Sequence, residues 1–364
     1  MKAQIVIGLG FGDEGKGNFT NYLCTQHKNP IVIRFSGGQQ AGHTVIHNGI
    51  KHIFSNYGSG ELQNIPTYFT EHCCIYLNTL EEERKVLYKK GIIPRLSVHP
   101  LTKITTPYDV AYGRIREGLK GHGSCGLGIG STMHRNSNSG YKLYAIDFIN
   151  KEVLQAKLLG ISNYYRKLAE KLDILEGYNN QILSQEETFF NLIDSNLFNV
   201  TDYDMLLSYE TLIFEGSQGI MLDKDHGIFP NVTYANTTSK NAIEICNKFN
   251  LVPNVNYITR CYQTRHGNGW MSNTSPVTLC NNEEEINVVN RWQGEFKSSE
   301  LDYELLNYAL RIDSLYNNKS TKSLVITCLD QLPEFKFEYD KLNRYFRTIY
   351  NSYSPESTKI KLLT

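Results

Sequence analysis

The amino-acid sequence predicts an α/β protein in which helices flank a mostly parallel central sheet. Three observations carry that expectation. Short apolar runs recur along the chain and break off into glycine-rich or polar loops, as buried parallel strands do at their carboxyl ends. Longer amphipathic stretches with a helical period lie between them. The chain has 364 residues, 40% of them hydrophobic, which is enough to bury apolar surface on both faces of a sheet.

Taken in order, Gln4–Gly10 is an apolar run ending in glycine, and Pro30–Phe35 repeats the pattern before Ser36-Gly37-Gly38. Both read as buried strands that feed flexible turns. Leu80–Lys90 has the charge content of a surface helix. Gly118–Gly140, crowded with Gly, Ser, His and Asn, follows neither period and is expected to be a loop lining something. Lys151–Leu172 predicts a helix with Leu154, Leu158, Leu159 and Ile161 among its apolar positions, and Glu176–Asp204 reads as a polar, partly helical elaboration outside the core. Thr211–Phe214, Tyr257–Thr259 and Leu324–Thr327 are further strands, two of which run into the polar loops EGSQG and CLDQ. No repeat or long linker divides the chain. The expectation is one elaborated domain over 1–364, mostly helical around 151–205, with a site along its strand ends.

Lys and Arg total 37 and Asp and Glu total 37, so no net field attracts a polyanion, and neither nucleic acid nor a membrane is an expected partner. A mean hydropathy of −0.38 and the absence of a signal-like apolar run predict a soluble, cytoplasmic protein. The eight cysteines are scattered, and adjacent Cys73 and Cys74 lack zinc-site spacing, so free thiols are expected.

Four loops concentrate chemistry. Gly8, Gly10, Gly12, Gly15 and Gly17 surround Asp13, Glu14 and Lys16 directly after a strand. Glycines let backbone N–H groups curve around a phosphate, and a lysine adds a point charge. Gly17 stands where the usual phosphate loop carries a metal-binding hydroxyl, so Asp13 becomes the candidate metal ligand. The plainer alternative is a tight turn with solvated charges. In Ser36–Thr44, His43 can give a proton to a transferred phosphoryl group, although a histidine in a loop is more often without such a role. In the third loop Gln218 can hydrogen-bond a base, and Asp223, Asp225 and His226 fit either a metal site or, more commonly, a hydrogen-bonded turn. Asp330, after the last strand, can accept from N1–H and N2–H of guanine or act as a simple cap.

Together, GFGDEGKG, GGQQAGHT, GHGSCGLGIG, FEGSQGIMLDKDHGIFPNVT, TRHGNG and TCLD resemble, in order, the motif series of the adenylosuccinate synthetase family, from Gly8 to about Asp330. The resemblance implies that family's P-loop-related fold and a homodimer. It also implies a ligase that joins L-aspartate to the C6 position of IMP, using GTP and Mg2+. The γ-phosphate would activate O6 before the amine displaces it. Carried over by motif, Asp13 is the base on purine N1 and a magnesium ligand with the Gly42 carbonyl, and His43 is the acid. Lys16 meets the phosphates within a nucleotide-binding frame of Gly12, Glu14, Gly15, Gly17, Gly42 and Thr44. Gln40 and Gln218 meet the acceptor nucleotide, Ser124, Cys125 and Thr233 its phosphate region, and Asp330 the guanine. Arg291 and Lys297 would hold the carboxylates of aspartate.

Several positions depart from the family pattern. Cys125 stands where the motif carries a threonine, Cys328 where it carries a lysine, and Asn136–Tyr144 lacks the arginine lent to a partner subunit. Phage enzymes of this kind attach aspartate to dGMP, with ATP or GTP as donor, and many replace the base aspartate with a smaller residue. Retention of Asp13 favours IMP. A non-catalytic nucleotide-binding paralogue is the alternative of another class, and Asp13, Lys16, His43 and Gln218 speak against it.

Overall fold

In the computed structural model, the described residues are 1–120, 125–272, 275–280 and 296–363. Ten strands form one sheet in the order Lys361–Leu362, Thr348–Asn351, Thr321–Thr327, Asn254–Arg260, Lys2–Gly8, Thr211–Glu215, Pro30–Arg34, Thr67–Phe69, Leu96–Val98 and Asn199–Val200. Every pairing is parallel except the one made by Lys361–Leu362 at the edge. All five expected strands are present, most of them a residue or more longer than the apolar runs alone imply.

Strand alternation distributes the apolar side chains between two layers. Ile5, Ile7, Ile31, Ile33, Leu212 and Phe214 enter a core closed by helices Lys240–Lys248 and Tyr303–Asp313. Val6, Val32, Ile213, Ile258 and Val325 face the other way, against Phe19, Leu23 and Cys24 of helix Lys16–Gln26. Each such side chain contributes about 1.5–3 kcal/mol of burial. The sheet therefore fixes firmly where its carboxyl ends stand.

A third core lies under helices Leu77–Lys89, Pro107–Lys120, Lys151–Lys171 and Leu175–Leu192. The segment 176–204 is accordingly less peripheral than its composition suggests, because Tyr178, Ile182 and Phe189 are buried there. Gly118–Gly140 also differs from the expected loop, since Ile129–Asn138 is a helix. Its inward face is polar, which erases the apolar period. Buried Arg135 makes a two-pronged pair with buried Asp109, 2.9 Å on each prong, and Tyr165 also donates to Asp109 at 2.7 Å. Charge pairing substitutes there for apolar packing.

Candidate active site

Five adjacent parallel strands deliver their carboxyl-terminal loops to one side of the sheet, where open α/β sheets bind ligands. The opening loop follows Lys2–Gly8. Its backbone takes left-handed values at Gly12 (φ 105°), Asp13 (φ 60°) and Gly15 (φ 91°), which curl it back on itself. Glu14 is buried and spends its carboxylate inside the loop, accepting from Gly10 N at 2.5 Å and from Lys16 Nζ at 3.0 Å. A Cβ on Gly8 would overlap that carboxylate, so the glycine there is a packing requirement. Helix Lys16–Gln26 then begins without a side-chain cap, leaving its first N–H groups for an anion.

His43 opens the hairpin strand His43–His47, and its Nδ1 lies 2.6 Å from Oε1 of Glu215, the last residue of Thr211–Glu215. Ser59 donates to the same carboxylate through its N–H (3.1 Å) and its hydroxyl. Burial alone would raise the Glu215 carboxyl, but His43, Arg34 and Ser59 together hold it at about 2, so it is ionised and can only accept. His43 Nδ1 therefore carries the proton, and Nε2 is the nitrogen left for chemistry. Burial pushes the imidazole below its ordinary value despite Glu215, with Arg34 and Lys16 pushing the same way.

These loops line a cleft of about 1060 Å³. Asp13 and His43 both line it, together with Gly12, Glu14, Gly15, Lys16, Gly17, Gln40, Gly42, Thr44, Cys125, Gln218, Thr233 and Asp330. Ser124 and Arg291 fall outside the described residues. Lys297 does not line the cleft. It pairs in register with Arg265 and reaches the Gly269 carbonyl at 3.5 Å. Among the described residues, nine besides glycine have positive φ, and all but Gln218 and Cys328 are Asn or Asp. Those two line the cleft, as does Asp13, so strained backbone gathers there.

Among the described residues, buried polar atoms without a partner gather in the same place: both amide atoms of Gln40, Oε1 of Gln218, Nε of Arg265, Nε2 of His266 and Oε1 of Gln331. Such atoms are costly to bury unless a ligand or water completes them. Arg265 is 1% exposed, lies 4.4 Å over the Phe11 ring and donates to the Trp270 and Asn231 carbonyls. Burial pushes its guanidinium down to about 10. Arg260, absent from the sequence reading, donates to the Asp13 carbonyl and to the Tyr262 hydroxyl. Glu215, Arg265, His266 and Gln331 lie inside motifs read from the sequence but received no role there, and Arg260 lies outside those motifs.

The donor set suits magnesium, which keeps most of its waters and takes one or two hard oxygen ligands beside substrate phosphates. Asp13 and Gly42 offer a carboxylate and a carbonyl in one cleft. The Asp223 cluster is instead a structural turn. One Asp223 oxygen accepts from the N–H groups of Asp225 and His226, and the other accepts from Thr237 and Thr238.

Comparison with known proteins agrees with this geometry. The family model for adenylosuccinate synthetase matches residues 5–339. The adenylosuccinate synthetase of Chlorobium chlorochromatii is 30% identical over 363 residues, covering 92% of this chain and 78% of that protein. That of Actinobacillus succinogenes is 32% identical over 252 residues, 65% of this chain, and the match spans 56% of its own length. Among solved structures, the fully ligated adenylosuccinate synthetase of Plasmodium falciparum superposes with a TM-score of 0.75 at 18% identity, covering 100% of both chains. The succinoaminodeoxyadenylate synthetase of cyanophage S-2L, solved with dGMP and dATP, superposes at 0.66 and 16% identity over 99% of this chain and 95% of that one. These two likenesses show the shared fold. With the family match running through nearly the whole chain, this protein belongs to the adenylosuccinate synthetase family of ligases.

Proposed function

We propose that the protein is a magnesium- and GTP-dependent ligase joining L-aspartate to C6 of IMP through a 6-phosphoryl intermediate. The carrying observation is that Asp13 and His43 line one cleft, a carboxylate and an imidazole on neighbouring loops. Asp13 takes the N1 proton of the 6-oxopurine as O6 attacks the γ-phosphorus, and the γ-phosphorus–oxygen bond to the β-phosphate breaks. His43, its Nδ1 proton held by Glu215, presents Nε2 to the transferring group. An anion arriving there restores the proton that burial disfavours. Lys16 adds positive charge at the phosphates, and Gln40 and Gln218 find partners on the acceptor. The aspartate amine then adds at C6, the C6–O bond breaks, and phosphate leaves with the oxygen and takes up the proton that the amine sheds. Bound magnesium, held by Asp13 and the Gly42 carbonyl, would supply neutralisation of phosphate charge.

A second reading is the phage-type reaction on dGMP with ATP or GTP, supported by Cys125 and Cys328 standing where the family motif carries threonine and lysine. A homodimer belongs to either reading. The test incubates the protein with magnesium, aspartate and crossed pairs of IMP, GMP or dGMP with GTP or ATP, and identifies the succinylated product by mass spectrometry. Product from IMP supports the first reading and product from dGMP the second. No product from any pair refutes both.

A further inference from the structure

We infer that Gln331 is a second reader of the donor base, working beside Asp330 to select guanine. The inference rests on the proposed triphosphate-dependent reading of the cleft. Beyond strand Thr321–Thr327 the chain reverses through Cys328 (φ 58°), and Gln331 N donates to the Cys328 carbonyl at 3.0 Å. This tight turn brings Asp330 and Gln331 to the cleft wall, which Cys328, Ser352 and Ser354 also line.

Gln331 Nε2 donates to Asp330 Oδ2 at 2.9 Å. A carboxylate can only accept, so this bond fixes which end of the amide faces Asp330. The carbonyl end, Oε1, is then turned away, and it is buried with no protein partner. Within this pair, the polar atoms without a protein partner to satisfy them are acceptors: the remaining lone pairs of the Asp330 carboxylate and Gln331 Oε1, which is buried at the cleft wall and is uncovered by a small turn of the side chain. One edge of guanine carries three donors in a row, N1–H and the two N2–H protons. Adenine offers a bare N1 lone pair beside a C2–H, with donors only at its 6-amino group, so its N1 lone pair would face those acceptors and leave them unpaired. The carboxylate of Asp330 suffices for N1–H and one amino proton, and the orphaned carbonyl of Gln331 is the group that completes the second. The same contact steadies Asp330, so Gln331 both positions and reads.

The test is equilibrium binding of GDP, IDP and ADP, with magnesium, to the intact protein and to Gln331→Met, with circular dichroism confirming the fold. IDP carries hypoxanthine, which lacks the 2-amino group. The intact protein is expected to bind GDP more tightly than IDP, and IDP more tightly than ADP. In Gln331→Met the GDP-to-IDP ratio should fall about five- to tenfold, the worth of one neutral hydrogen bond, while IDP affinity changes little. An unchanged ratio in that variant overturns the inference, and so does equal GDP and IDP affinity in the intact protein, even if the variant fails to fold. Asp330→Asn, measured alongside, should lose the discrimination between guanine and adenine. If it does not, the base site is elsewhere. Because no turnover is required, a protein that reads guanine yet makes no succinylated product would refute the ligase proposal alone.

Discussion

Replacing Glu215 with glutamine isolates the role of the charge behind His43. In the native protein Glu215 is held at about 2 against an ordinary 4.5, a displacement worth about 3 kcal/mol in favour of the ionised form. That stabilisation is fully present above pH 4.5 and is lost as pH falls through about 2. Among the groups acting on His43, Glu215 alone raises the imidazole, whereas burial, Arg34 and Lys16 all lower it. Glutamine keeps the shape and can still accept from Ser59, but it removes the pull. The imidazole becomes harder to protonate, and an amide, which can donate as well as accept, no longer fixes its tautomer. Single-turnover phosphoryl transfer, followed by quench-flow with radiolabelled GTP, should slow about 10²–10⁴-fold, the scale of a mispositioned acid or base. The alkaline fall of the rate should also move to lower pH, with GTP affinity nearly unchanged. A native rate with a native pH profile would refute the assigned pairing of Glu215 and His43.

Asp13→Asn should abolish turnover while leaving the fold intact, since asparagine tolerates the local φ of 60° and the carbonyl that accepts from Arg260 remains; full activity in the variant would overturn its role as base. His43→Ala should reduce single-turnover phosphoryl transfer about 10²–10⁴-fold with little change in nucleotide affinity measured by calorimetry. Asp109→Ala strands Arg135 in the core and should cost about 3–5 kcal/mol in denaturant unfolding, whereas a loss below 1 would show that Arg135 finds other acceptors. Gly219→Ala drives a Cβ into the Gly10 carbonyl and towards Glu14, so nucleotide binding should fall sharply in a protein that still unfolds cooperatively.

The parts of the site legible in the sequence were those whose chemistry demands an unusual local composition. Five glycines around Asp13 and Lys16, and His43 inside a second glycine loop, stand out because close backbone approach to phosphate tolerates little else. Glu215 stands in the quoted EGSQG loop but received no role, because an acidic residue ending an apolar strand carries no mark of its partner. It gains its role only when His43, 172 positions away, folds against it. Arg260 reads as an ordinary strand position and Arg265 stands in the TRHGNG motif without an assigned role, and only burial beside the opening loop gives them work. Helix Ile129–Asn138 was hidden for the opposite reason, because it packs a charge rather than an apolar stripe into the core.

The strand order also constrains when the protein can work during its own synthesis. Strand Lys2–Gly8 lies between Thr211–Glu215 and Asn254–Arg260, so both its edges stay open until the ribosome has delivered some two hundred residues more. A newborn phosphate loop therefore hangs from an unpaired strand, sticky and unable to grip its nucleotide. The wall carrying Asp330 arrives later still. Nucleotide cannot chaperone the early stages of folding, and it rewards only a chain in which strands Thr211–Glu215, Asn254–Arg260 and Thr321–Thr327 are already in place.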